Sequence, residues 1–304
     1  MATADVKQPI APVRTVPKVG TARRRRSSGG QHPLIWLAVV AIIVFCLFPF
    51  YWLVNVSLKT GADLSSSDLF PPNPTLQNYK SIFQNDDFTT GLRNSAIVSL
   101  TTTVLALVFG SFAAYALARL RFKGKFLLLG VILSITTFPA IAIASPLFKL
   151  WTDGVLGFEP YNTLIGLIIP YLTFALPLAT YILVSFFKEI PKDLEESALV
   201  DGATHFQAFR KVVVPLAAPG IATAGILTFI FAWNEFLLAV TLTSSREART
   251  VPAAIAFFTG STQFEQPLGT ISAASVVISV PLILLVLLFQ KRIVAGLTAG
   301  AVKG

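Results

Sequence analysis

The 304 residues are 54% hydrophobic and 13% charged, with a mean hydropathy of +0.71, more apolar surface than a water-soluble core absorbs. The single cysteine, Cys46, excludes a disulfide framework and a cysteine metal site. The formal charge of +9 would suit nucleic acid only if it formed one stripe on a soluble domain.

Residues 1–32 hold Lys7, Arg14, Lys18 and the run Arg23 to Arg26 against one acid, Asp5. Pro, Ser, Gly and Thr make up much of the remainder, a composition that predicts a disordered basic tail. An apolar run over 33–56 follows, too long and too far from the start for a signal peptide. It reads as a first membrane span.

Five further runs lie at about 94–117, 126–148, 162–187, 217–240 and 269–289. Each is long enough to cross about 30 Å of hydrocarbon. The chain is therefore expected to be an all-α bundle of six transmembrane helices over 33–289, with a tail at 290–304. If residues 1–32 are cytoplasmic, eighteen of the 24 Lys and Arg fall on the inside and six outside. The positive-inside rule then places both termini in the cytoplasm. Basic residues thus mark a membrane face in contact with anionic lipid, and no nucleic-acid partner is expected.

Residues 59–93, with Pro71, Pro72 and Pro74, predict an ordered or semi-ordered excursion on the outer side. Pro49, Pro139, Pro146, Pro170, Pro177 and Pro281 fall within spans and predict kinks. Trp36, Tyr51, Trp52 and Trp151 lie near span ends and read as interfacial anchors.

The inside loop 188–216 is more than a connection. It reads as two short helices and a turn, with Pro191 in the first turn, acids Asp193, Glu195 and Glu196 near the positive helix end, and a break at Gly202. Leu194, Ala198 and Gly202 share one narrow face suited to close approach of another protein. Glu196 and Asp201 offer carboxylates to a partner's Arg or Lys.

Within that loop Glu196, Ser197, Ala198, then Gly202, then Val212 to Pro215 resemble the EAA loop of ATP-binding-cassette importer permeases. Ser197, Val212 and Val214 depart from the usual Ala, Ile and Leu, with the spacing intact. FPFYWLVNVSLK at 48–59, PNPTLQNY at 72–79, AYALARLRFKGK at 114–125, AWNEFLLAV at 232–240 and the terminal GLTAGAVKG narrow the resemblance to carbohydrate permeases of the maltose-permease second-subunit type. The resemblance implies the type I importer bundle. It implies an ATPase-coupling role for Leu194, Glu196, Ser197, Ala198, Asp201, Gly202, Ala203 and Pro215, and a second ATPase contact at Leu297, Thr298, Gly300 and Lys303. It also implies a second homologous permease, two ATPase subunits that bind ATP and Mg²⁺, an extracytoplasmic solute-binding protein, and a bacterial plasma membrane. The implied substrate is an oligosaccharide, a disaccharide such as trehalose or maltose, or a polyol phosphate.

Glu235, beside Asn234, is the one acid inside an apolar run, where a charge costs about 2.5–3.5 kcal/mol on insertion scales. It reads either as a wall of the solute pathway or binding-protein contact, or as a buried, hydrogen-bonded packing carboxyl. An alternative function, proton-coupled secondary transport, would run through Glu235. No GxxxxGK[ST] phosphate loop, HExxH or nucleophile constellation is present in the sequence, so neither catalytic residues nor a metal or cofactor are expected in this chain.

Overall fold

The computed structural model describes residues 33–155, 157–258 and 267–299, and these are almost entirely helical. The expected basic tail, 1–32, lies outside them. Helix α1, Pro33–Ser57, has Pro49 within it. The chain divides there into two units, one ending at Phe48 and one beginning at Pro49. Proline lacks the N–H that would bond the carbonyl of Phe45, which weakens the helix at that point. The described part of the first unit is a run of exposed apolar side chains from Leu34 to Phe48.

In the second unit, the excursion after α1 is ordered around a buried cation. Lys59 donates from Nζ to the carbonyls of Ser66 (3.1 Å) and Asp68 (3.0 Å) and lies 5.1 Å from the centre of the Trp52 ring. Helix α2, Gln77–Gln84, is tied to the same place by Asn78, which donates to the carbonyls of Ser57 and Lys59 at 2.9 and 2.8 Å. Those partners replace the water that a lysine would otherwise keep.

Helix α3, Asp86–Arg119, starts well before the apolar run because Asn85 caps it, accepting from the amides of Asp87 (2.8 Å) and Phe88 (3.2 Å). Asp86 and Asp87 then sit at the positive end of the helix. Helices α4, Lys125–Thr137, and α5, Ala140–Asp153, correct the expectation of one continuous span over 126–148. They are bent by 86°, because Phe138, preceding Pro139, is held extended. Trp151 is not an interfacial anchor. It is buried and donates to the Gly166 carbonyl at 2.8 Å, joining α5 to α6, Leu164–Glu189.

Beyond α6 come α7, Lys192–Val200, α8, His205–Ala208, a wider π-helical turn, Phe209–Val213, and α9, Val214–Leu216. Helix α10, Ala218–Asn234, leaves this segment at 76°. Short helices α11, Leu237–Leu242, and α12, Val251–Ala256, precede α13, Leu268–Ala299. Among the described residues four helices are long and apolar enough to cross a membrane, and six crossings result if each bent pair is one span.

The core is built on α3, α6 and α10. Small residues let their backbones approach: a Cβ on Gly110 would lie 3.3 Å from the Ala179 methyl, and one on Gly220 would fall 2.2 Å from the Phe186 ring. One apolar cluster, including Leu117, Leu183, Phe187, Phe209 and Val213, lies where α3 and α6 end and the 188–216 loop returns.

Candidate functional site

The loop folds as its local chemistry dictates. Pro191 is extended and caps α7, so the helix begins at Lys192 rather than in a turn containing the proline. Asp193 and Glu195 occupy the first turn, where the helix dipole favours negative charge. At the other end Gly202 takes φ +87°, its amide bonds the Leu199 carbonyl, and the Ala203 amide bonds that of Ala198, each at 3.0 Å. This is a Schellman end, and its left-handed residue requires glycine. Thr204 then caps α8: its Oγ1 accepts from the Gln207 amide (3.2 Å), while Gln207 Oε1 accepts from the Thr204 amide (2.8 Å). The expected pair of short helices and a turn is therefore observed.

Two inward-facing residues seat this unit on the bundle. Phe209 is buried, with its ring 4.9 Å from Tyr115, 5.4 Å from Phe112 and 6.3 Å from Phe187. Glu195 is buried too. Its Oε2 lies 2.9 Å from Arg119 Nε, with the two side chains only 10% and 7% exposed. The Tyr115 hydroxyl donates to its Oε1. Arg119 Nε–H is not aimed at a carboxylate oxygen, so that contact is an ion pair, while Nη2 donates to the Ile190 carbonyl at 3.1 Å. One guanidinium thus joins the ends of α3 and α6 to α7.

The opposite face of α7 is open. Leu194, Glu196, Ser197, Asp201 and Gly202 are exposed, and Ala198 and Ala203 are half-buried. Val200 and Phe206 beside them are 87% and 58% exposed. A Cβ on Gly202 would meet nothing within 4 Å, so only its backbone angle demands glycine from within the chain. Pro215 stands apart from this face, on α9. Of the other expected contacts, Leu297 and Thr298 fall on α13, whereas Gly300 and Lys303 lie outside the described residues.

Glu195, Arg119, Tyr115 and Phe209 were missed by sequence reasoning. Adjacent residues on a helix point about 100° apart, so Glu195 turns to the bundle while Glu196 faces outward. Tyr115 and Arg119, four apart on the last turns of α3, were the available signal for what receives Glu195.

Helix α10 ends at Asn234, so the expected span over 217–240 is broken there. Glu235 is extended, and its carboxylate accepts from the amides of Leu238 (2.8 Å) and Ala239 (3.1 Å) at the start of α11. The hydrogen-bonded packing role is the one that this geometry supports. Asn234 is exposed and donates to the Ile230 carbonyl at 2.8 Å. Glu235→Gln keeps one of the two acceptor oxygens of the cap and is expected to retain uptake within about 5-fold, since a cap is worth about 1 kcal/mol. Loss of uptake in Glu235→Gln, measured with labelled substrate at fixed pH, would instead mark the proton as essential.

The family described as binding-protein-dependent transport system inner membrane component matches residues 88–298. The trehalose transport system permease protein SugB of Mycobacterium tuberculosis is 52% identical over 277 residues, covering 91% of this chain and all of that protein. The sulfoquinovosyl glycerol transport system permease protein SmoH of Agrobacterium fabrum is 44% identical, covering 94% and 99%. The trehalose/maltose transport system permease protein MalG of Thermococcus litoralis is 39% identical, covering 89% and 96%. A bacterial ABC transporter for import of the polysaccharide alginate shares the fold with a TM-score of 0.71 at 24% identity, over 86% of this chain and 96% of that one.

Proposed function

The chain belongs to the binding-protein-dependent transport system inner membrane component family, and from that premise we propose that it forms half of the membrane pathway of an ATP-driven disaccharide importer. It is a transport subunit, not an enzyme, and ATP is hydrolysed by a separate subunit. The 52% identity with a trehalose permease across that protein's whole length carries the substrate assignment, and the trehalose/maltose permease supports it. ATP-dependent, binding-protein-dependent uptake of labelled trehalose into proteoliposomes holding the whole complex tests it. Uptake of an unrelated solute in preference to trehalose would overturn it.

In this reading a second, similar permease completes the pathway, two ATPase subunits hold ATP and Mg²⁺, and a solute-binding protein delivers the sugar from outside. The alginate importer, solved in complex with a substrate-bound periplasmic protein, supports such an arrangement. The excess of Lys and Arg on alternate segments supports cytoplasmic termini in a bacterial plasma membrane.

The exposed face of α7 docks on the ATPase. ATP-driven closure of the two ATPase subunits moves α7, and the Glu195–Arg119 pair passes that motion to α3 and α6, which line up with α10 as the core of the bundle. Glu196→Lys reverses a charge on the open face and is expected to lower ATPase co-purification at least about 10-fold. Gly202→Val should do the same, because it adds bulk where α7 docks. Gly202→Ala, which adds little bulk, should cost only the left-handed backbone penalty of about 1 kcal/mol. Unchanged association and uptake in both Glu196→Lys and Gly202→Val would refute docking through this face.

A further inference from the structure

The turn between α3 and α4 carries Arg121, Lys123 and Lys125, and the end of α6 brings Lys188 to the same place. Together they border an open hollow of about 700 Å³ with no carboxylate in its lining. Lys125 is half-buried and within electrostatic reach of Lys188 and Lys192. Its Nζ reaches one backbone oxygen, that of Leu120, at a long 3.4 Å. Cations gathered around one hollow favour an anion among them.

Two further observations point the same way. Helix α4 begins at this hollow with Gly124 at its cap, in the left-handed region at φ +87° and with no side chain to accept from the first amides. Those free N–H groups and the helix dipole make an anion receptor. On the other side the rim is apolar: Phe126 is 86% exposed and Leu127 74%, with Phe122 and Leu120 also exposed. A free phosphate would leave these side chains without a use, whereas a lipid satisfies both halves of the site.

We propose that this hollow binds the phosphodiester headgroup of an anionic phospholipid. Lys123, Lys125 and Lys188 hold the phosphate oxygens, the first amides of α4 contribute donors, and the acyl chains run along Phe126 and Leu127. The hollow adjoins α7, since Leu120 and Arg121 also border a second hollow lined by Lys192, Glu195, Glu196 and Leu199, and it does not depend on which solute is carried.

The test uses the assembled transporter in nanodiscs of phosphatidylcholine with about one-fifth phosphatidylglycerol. Lipid retained through detergent exchange is read by native mass spectrometry. Removing one near-surface cation weakens anionic lipid binding by about 5-fold, the equivalent of about 1 kcal/mol. The triple variant Lys123→Gln, Lys125→Gln, Lys188→Gln should therefore lose at least about 10-fold of its retained phosphatidylglycerol, with phosphatidylcholine and ATPase content unchanged. Phe126→Ser should weaken the same lipid and leave binding of inorganic phosphate unaffected. Equal phosphatidylglycerol retention in the triple variant overturns the proposal, as does displacement of the lipid by millimolar inorganic phosphate. Loss of the ATPase with the lipid retained would show that these lysines serve the ATPase instead.

Discussion

Arg119→Ala is expected to abolish coupled uptake, lowering it at least about 10-fold, while the chain still inserts in the membrane. The mutation leaves the Glu195 carboxylate buried, with the Tyr115 hydroxyl as its remaining partner and no other ion pair among the described residues. Breaking a buried ion pair by removing one side costs about 3–5 kcal/mol. The bond to the Ile190 carbonyl is lost at the same time. Helix α7 then leaves its seat, and in the proposed coupling route ATPase closure no longer reaches α3 and α6. The measurement is uptake against ATP hydrolysis in proteoliposomes, where hydrolysis should persist without transport. Hydrogen exchange over residues 193–203 should rise in parallel. Replacing both partners, Arg119→Met with Glu195→Leu, should recover much of the docked population, because an apolar pair of similar volume often matches a buried ion pair. Normal uptake in Arg119→Ala would remove the pair from the transmission route.

Phe209→Ala should be nearly as damaging, by a different route. The ring is 7% exposed and surrounded by aromatic neighbours on α3 and α6, so truncation leaves a cavity and costs about 3–5 kcal/mol. Phe206 is 58% exposed and touches this cluster only at its edge, with ring centres 6.5 Å apart. Phe206→Ala should change the stability of the isolated chain by no more than about 0.5 kcal/mol. Thermal unfolding of the two variants in detergent separates them. Equal unfolding temperatures would show that Phe209 does not anchor the loop.

Local chemistry was legible in the sequence and pairing across the chain was not. Helices α1, α3, α6 and α13 announce themselves because an uninterrupted apolar stretch admits no other structure in lipid. The α7–α8 turn is equally plain, since Gly202, Thr204 and Gln207 act on backbone groups within a few residues of themselves. The break at Pro139 was signalled by the proline, yet averaging hydropathy over a window hides it. At Glu235 the charge drew attention to chemistry, while the carboxylate serves as a helix cap. Arg119 and Glu195 are 76 positions apart, and no periodicity links them. The same holds for Asn162, whose side-chain Oδ1 accepts from the amides of Ser244 and Ser245, both at 2.9 Å.

The π-helical turn at Phe209–Val213 makes length, rather than composition, the constraint on this loop. Such a turn holds one residue more than an ordinary α turn. Deleting any one of Arg210, Lys211 or Val212 would let the segment relax to an ordinary α turn with its flanks still nearly in register, whereas inserting one residue more would rotate everything before it by about 100°. Every side chain of α7 would survive that insertion, yet Phe209 would leave its aromatic nest and the exposed face of α7 would turn. Single-residue insertions in this stretch should therefore be tolerated far less well than single-residue deletions at the same three positions.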